Sequence, residues 1–87
     1  MPDEIFPMEI YGAQYIGLMF EIGEDEKALE IASAMGDRSI EMIEYLSGQG
    51  ASRDSMYRYY AVLNTIAKTL EQNGKTEEAK KYSAWLQ

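Results

Sequence analysis

Neither cysteine nor histidine occurs anywhere in the 87 residues. Without cysteine there is no disulfide and no thiolate metal site, and the redox compartment leaves no mark on the chain. With histidine missing as well, the usual nucleophile–base pairs and most transition-metal sites have nothing to be built from. Proline is confined to Pro2 and Pro7, so from Met8 to Gln87 only glycine interrupts helix. No run of about 18 apolar residues exists, and Met1-Pro2-Asp3-Glu4 lacks the basic start of a signal peptide. The segment therefore reads as soluble in its own right.

Basic charge is also scarce: 8 Lys and Arg stand against 15 Asp and Glu, a net charge of −7. The imbalance lies in the first half, where residues 1–44 hold eleven carboxylates against Lys27 and Arg38, a net of −9. Residues 45–87 hold six cations against four carboxylates, a net of +2. An acidic half repels phosphate, so nucleic acid and anionic lipid are not expected as main partners. The two halves are expected to attract each other weakly across the fold as solvated faces.

What is present is helical periodicity at an ordinary hydrophobic content of 46%. A chain of this length makes one modest core. Residues 1–7 read as an extended lead-in, with Ile5 and Phe6 able to tuck onto the first helix, and residues 8–87 as a single all-helical domain. Its apolar start without a cap suggests a fragment of a larger protein.

Helix one is expected from about Met8 to Ile22, with Tyr11, Tyr15, Leu18 and Ile22 as its inward stripe, widened by Met8, Ile16, Met19 and Phe20. Gly12 and Gly17 each cost such a helix ~1 kcal/mol. Close approach of a neighbour accounts for that cost at Gly12, and Gly17 has no evident reason. Gly23 supplies the left-handed position that ends the helix. Helix two starts at Glu24 or Asp25, where carboxylates meet the positive end of the helix dipole. Its inner face is Ala28, Leu29, Ala32 and Met35, the alanines letting two helix axes come close. At Gly36-Asp37 the helix either bends or ends, and the spacing favours an end, with Asp37 capping a third helix. Ser47-Gly48-Gln49-Gly50-Ala51-Ser52 is a loop. The next helix, about Arg53 to Asn73, has a wide stripe (Met56, Tyr60, Leu63, Ala67, Leu70, broadened by Tyr59, Val62 and Ile66) and is expected to be central. Gly74 ends it, and Thr76 caps a last helix running to Trp85-Leu86.

The chain repeats itself. Gly23 is followed by an acidic run and Ala28, Gly74 by Thr76-Glu77-Glu78 and Ala79, and Met19 and Leu70 each stand four before the glycine. This pattern resembles the tetratricopeptide repeat, in which an alanine five after the turn glycine packs between two helices. Leu63, Ile66, Ala67, Leu70, Gly74 and Ala79 fit that motif better than the first copy, which has Gly12 where Trp is usual and Ile16 where a small residue is usual. The copies lie 51 positions apart, rather than the ~34 of that family. The resemblance implies four to five antiparallel helices arranged as tetratricopeptide-like hairpins.

A second resemblance rests on the order Met19-Phe20-Glu21-Ile22-Gly23-Glu24-Asp25-Glu26-Lys27-Ala28, Asp37-Arg38-Ser39-Ile40-Glu41, a Tyr-Leu-Ser helix end, and the closing Gly74–Ala79 hairpin. It is similar to the C-terminal tail of a bacterial multi-pass membrane-protein family of unknown function, grouped with protein O-mannosyltransferase-like glycosyltransferases. That resemblance implies an appendage of an inner-membrane enzyme, the periplasmic side favoured, with any transferase chemistry in another part of the parent.

Chemistry within these residues is not expected. Glu24, Asp25, Glu26 and Glu30 are better explained by the helix dipole than as a metal or catalytic cluster, and Gly48-Gln49-Gly50 lacks the Lys-Ser/Thr of a phosphate loop. No cofactor is expected. Tyr59 and Tyr60 read as core. Tyr57 reads as an exposed contact, and Trp85 as a lid on the final hairpin or an anchor for a partner. The expectation is a non-catalytic helical accessory domain, a monomer or weak dimer, that contacts its own membrane domain or another protein. The candidate surface is Tyr11, Tyr15, Tyr57 and Trp85. The alternative is a free-standing adaptor binding a peptide or partner helix along Tyr11, Tyr15 and Tyr57.

Overall fold

The computed structural model describes residues 5–86, with side chains from residue 14 onward. Its regular structure is all helical: α1 (Ile5–Glu21), α2 (Asp25–Gly48), α3 (Tyr57–Gln72) and α4 (Thr76–Ser83), with 3₁₀ turns at Asp54–Met56 and Ala84–Leu86. α1 packs on α2, α3 packs on α4, and α3 also lies against both α1 and α2. The central place expected for α3 is therefore occupied by it. The Cα framework measures 41 × 28 × 16 Å, a slab thin in one direction.

Three helices end by one device. After α1 the Glu24 amide donates to the Met19 carbonyl at 2.8 Å and the Gly23 amide to Phe20 at 3.1 Å. After α3 the Lys75 amide donates to Leu70 at 2.9 Å and the Gly74 amide to Glu71 at 3.1 Å. Ala51 and Gly50 do the same to Leu46 and Ser47 after α2, each at 3.0 Å. These paired bonds are the Schellman motif, which satisfies orphan carbonyls only if the residue past the helix end is left-handed. Gly23, Gly50 and Gly74 take φ of 86°, 83° and 80°, which a Cβ would oppose.

The turns return each helix onto its predecessor, and the alanines sit in the seams. Ala28 is fully buried and Ala79 is 3% exposed. Around them Ile16, Met19, Ile43, Leu63, Ile66, Leu70 and Tyr82 form one cluster.

Four expectations are corrected. Residues 5–7 are helical rather than extended, because α1 begins at Ile5; Pro7 fits its first turn, where an amide proton has no intrahelical acceptor. Residues 1–4, and the side chains of Ile5, Phe6, Met8 and Tyr11, lie outside the described residues. Gly36-Asp37 does not end α2, which continues to Gly48. The bare backbone of Gly36 serves packing: a Cβ there would run into the Tyr82 ring of α4. Gly12 plays a similar part, since a Cβ there would stand 2.5 Å from Met35 Sδ. Thr76 is the first residue of α4 rather than its cap; Lys75 holds the cap position with no side-chain bond. Last, α1 is turned differently from expectation. Its buried residues are Ile16 and Met19, whereas Tyr15, Leu18 and Ile22 are 48%, 48% and 60% exposed.

Candidate interaction surface

The rotation of α1 creates the most distinctive surface on the molecule. α1 has polar residues at few positions, so its sequence supplies apolar atoms to whichever side faces water. Gly12, Ile16 and Met19 follow at intervals of four and three and point toward α2, with Met35 against Gly12. That choice throws Tyr15, Leu18 and Ile22, spaced by three and four, onto one outward stripe. Gln14 and Glu21 are exposed on the same side. A contiguous apolar stripe on a small domain is the kind of feature that marks a contact surface, unlike scattered single hydrophobes.

Of the four residues named from sequence, Tyr15 belongs to this stripe, and the side chain of Tyr11, one helical turn before it, lies outside the described residues. Tyr57 is 74% exposed at the start of α3. Trp85 is half-buried against the core on the 3₁₀ turn that packs on α3 and α4, in the manner of a lid. The residues missed were Leu18 and Ile22, which the sequence places in the core. Tyr45, 62% exposed on α2, was not singled out for contact either.

The opposite end of the array is closed by polar contacts. Arg53 stacks 4.5 Å from the centroid of the Tyr60 ring and donates to the Leu86 carbonyl at 3.4 Å, tying the loop before α3 to the last turn. Half-buried Tyr59 and Tyr60 complete that side of the core. Between α2 and α4, Lys81 Nζ lies 2.9 Å from Asp37 Oδ1, and the Tyr82 hydroxyl donates to the same oxygen at 3.4 Å. The Asp37 hydrogen bond, with Tyr82 adding to it, holds the Lys81 ammonium above its ordinary pKa. Lys75 meets Asp25 at 3.6 Å, joining the two glycine turns. Both bridges link the acidic half to the basic half, as the charge division suggests, and both are exposed enough to be weak.

A depression of about 160 Å³ between α2 and α4 is lined by Leu29, Ala32, Ser33, Leu70, Glu78, Lys81 and Tyr82. At that size it is smaller than a typical ligand pocket. Among the described residues no three acidic side chains gather closely enough to hold a metal ion. No helix among them is long and apolar enough to cross a membrane. Compared with known protein families, curated proteins and solved structures, the chain has no significant match in any of the three.

Proposed function

We propose that this is a non-catalytic helical interaction domain whose binding face is the outward stripe of α1. One observation carries the reading: Tyr15, Leu18 and Ile22, at the end of α1 and the turn after it, are about half exposed or more while Ile16 and Met19 beside them are buried. Leaving three large apolar groups in water forgoes on the order of 1 kcal/mol apiece, stabilisation that burial against a partner would recover. The rest of the fold is arranged to hold that helix rigidly, through the Schellman turn at Gly23 and the Gly12–Met35 contact.

The array is read as tetratricopeptide-like, and its setting as the C-terminal tail of a bacterial inner-membrane protein of glycosyltransferase-like type. Support for both comes from the sequence resemblances and the repeated glycine–alanine hairpin. On that reading the partner is the parent's own membrane domain or a protein beside it. A free-standing adaptor is the alternative, with Tyr57, 74% exposed at the start of α3, as a further contact.

The test is photo-crosslinking in cells from the full-length protein encoded at the locus. A crosslinking residue at Leu18 is compared with one at Glu77 on the polar side of α4, and adducts are identified by mass spectrometry. An adduct specific to position 18 supports the reading. Its identity separates an appendage, crosslinked within one polypeptide, from an adaptor, crosslinked to another. Equal labelling from both positions, or none from position 18, would refute it.

A further inference from the structure

We infer that the outer face of α1, from Tyr15 to Ile22, seats a single amphipathic helix with cationic flanks. This rests on reading the α1 stripe as the binding face and adds the chemistry of what binds there.

The first argument is internal equivalence. Met19 and Leu70, and Ala28 and Ala79, are pairs 51 positions apart that share the same buried seams, at 7% and 1%, and at 0% and 3% exposure. At that offset Tyr15 corresponds to Ile66, which is fully buried, whereas Leu18 and Ile22 correspond to Thr69, half-buried, and Asn73, exposed just past the end of α3. α3 has α4 on one side and the α1–α2 pair on the other, so this register is covered. Among the described residues no helix precedes α1, and Tyr15 at the equivalent position is 48% exposed. What packs over the Ile66 position within the protein is helical, so a helix ridge is the kind of element that meets Tyr15.

The second argument excludes another copy of the chain as the occupant. α4 exposes Thr76, Glu77, Glu78, Lys80 and Lys81, a polar outer side that acts as the cap of a helical array. It offers no apolar ridge to dock on α1 of a second molecule head to tail. Symmetric pairing through α1 would bring together two halves that each carry a net charge of −9.

Charge supplies the third argument. The stripe is flanked by Glu21, and at Ile22 it runs directly into Gly23-Glu24-Asp25-Glu26, with Glu21, Glu24 and Glu26 all exposed. A helix whose apolar residues meet Tyr15, Leu18 and Ile22 would bring its flanks to these carboxylates. Lys or Arg there is attracted and steered, and Asp or Glu is repelled.

The experiment titrates the isotopically labelled domain with two synthetic helical peptides of about 18 residues sharing one leucine stripe. One carries lysine at all polar positions and the other glutamate. The lysine peptide is expected to shift the amides of Tyr15 to Ile22 and to bind at least ~10-fold more tightly at low salt, the gap narrowing as salt screens it. The double substitution Leu18→Asn and Ile22→Asn, at exposed sites, should weaken binding ~10-fold or more while leaving helicity unchanged. Glu21→Gln with Glu24→Gln and Glu26→Gln should narrow the preference for lysine by ~3-fold or more. Equal binding of the glutamate peptide overturns the cationic partner but spares the binding face. Sedimentation showing a dimer whose interface is α1 likewise makes a second copy the occupant and overturns the inference alone. Binding of neither peptide, or binding indifferent to Leu18→Asn and Ile22→Asn, overturns both.

Discussion

Gly36→Ala sets two effects of known sign against each other at one position. Replacing glycine by alanine inside an exposed helix stabilises by ~1 kcal/mol through propensity alone. At position 36 the new Cβ would stand 2.7 Å from Tyr82 Cζ and 2.9 Å from Cδ1, and closer still to Cε1. The ring cannot swing aside cheaply, because Tyr82 is 2% exposed and its hydroxyl is held at Asp37. Relief therefore requires α4 to move off α2, an overpacking cost of about 1–3 kcal/mol that exceeds the propensity gain. The difference is a net loss of up to about 2 kcal/mol. Urea denaturation followed by circular dichroism reads it directly, and a melt should fall by ~4–8 °C per kcal/mol. Repeating the substitution in a Tyr82→Leu background should remove most of the penalty, giving a coupling of ~1–2 kcal/mol in the double-mutant cycle. A Gly36→Ala protein more stable than the parent by the ~1 kcal/mol of propensity alone, with no coupling to Tyr82→Leu, would refute the close packing of α4 on α2 and return Gly36 to the role of a weak point in a long helix.

The same substitution should have the opposite sign at Gly17, where a Cβ meets nothing within 4 Å; Gly17→Ala is expected to stabilise by ~0.5–1 kcal/mol in the same urea assay. Ala28→Leu and Ala79→Leu, at 0% and 3% exposure, should each cost about 1–3 kcal/mol by forcing a seam apart, visible as a lowered melting temperature. Asp37→Asn should bring the Lys81 pKa down toward the usual lysine value, followed by carbon NMR of the lysine side chains. Because Asp37 raises the folded value, the contribution of this pair to stability is complete below the unfolded lysine pKa of ~10.4 and fades as pH climbs through the folded one. The parent should accordingly lose slightly more stability than Asp37→Asn between neutral and strongly alkaline pH, and equal losses would place the pair outside the folding balance.

The helix ends were legible because their chemistry is local. Glycine at the left-handed position, acids in the following first turn and an alanine five on announce a Schellman turn and a close seam together, at Gly23 and again at Gly74. The loop expected at Ser47–Ser52 was readable on the same terms, except that α2 continues through Ser47 and Gly48 before it. Gly36 was not, since its reason for being glycine is Tyr82, 46 positions away, and a glycine that admits a neighbouring ring looks the same in sequence as one that stops a helix. The orientation of α1 was misread for another cause. A stripe is informative only against a polar background, and α1 supplies apolar residues on both sides, so Tyr11, Tyr15, Leu18 and Ile22 looked as good as Gly12, Ile16 and Met19. The repeat held part of the answer: Ile16 and Met19 lie 51 positions before Ala67 and Leu70, which the pattern of α3 had already marked as core, although the same offset sets exposed Tyr15 on buried Ile66.

The absence of any native cysteine makes the facing of α1 open to one direct measurement. Ile16→Cys and Leu18→Cys each introduce a single thiol, whose reaction rate with a soluble disulfide reagent is compared with that in the urea-unfolded protein. If the stripe faces water, the thiol from Leu18→Cys reacts within a few-fold of its unfolded rate and that from Ile16→Cys is protected by more than about 100-fold, opening only when the domain does. A protected Leu18→Cys alongside a reactive Ile16→Cys would put the stripe in the core, and the binding face proposed on it would be lost.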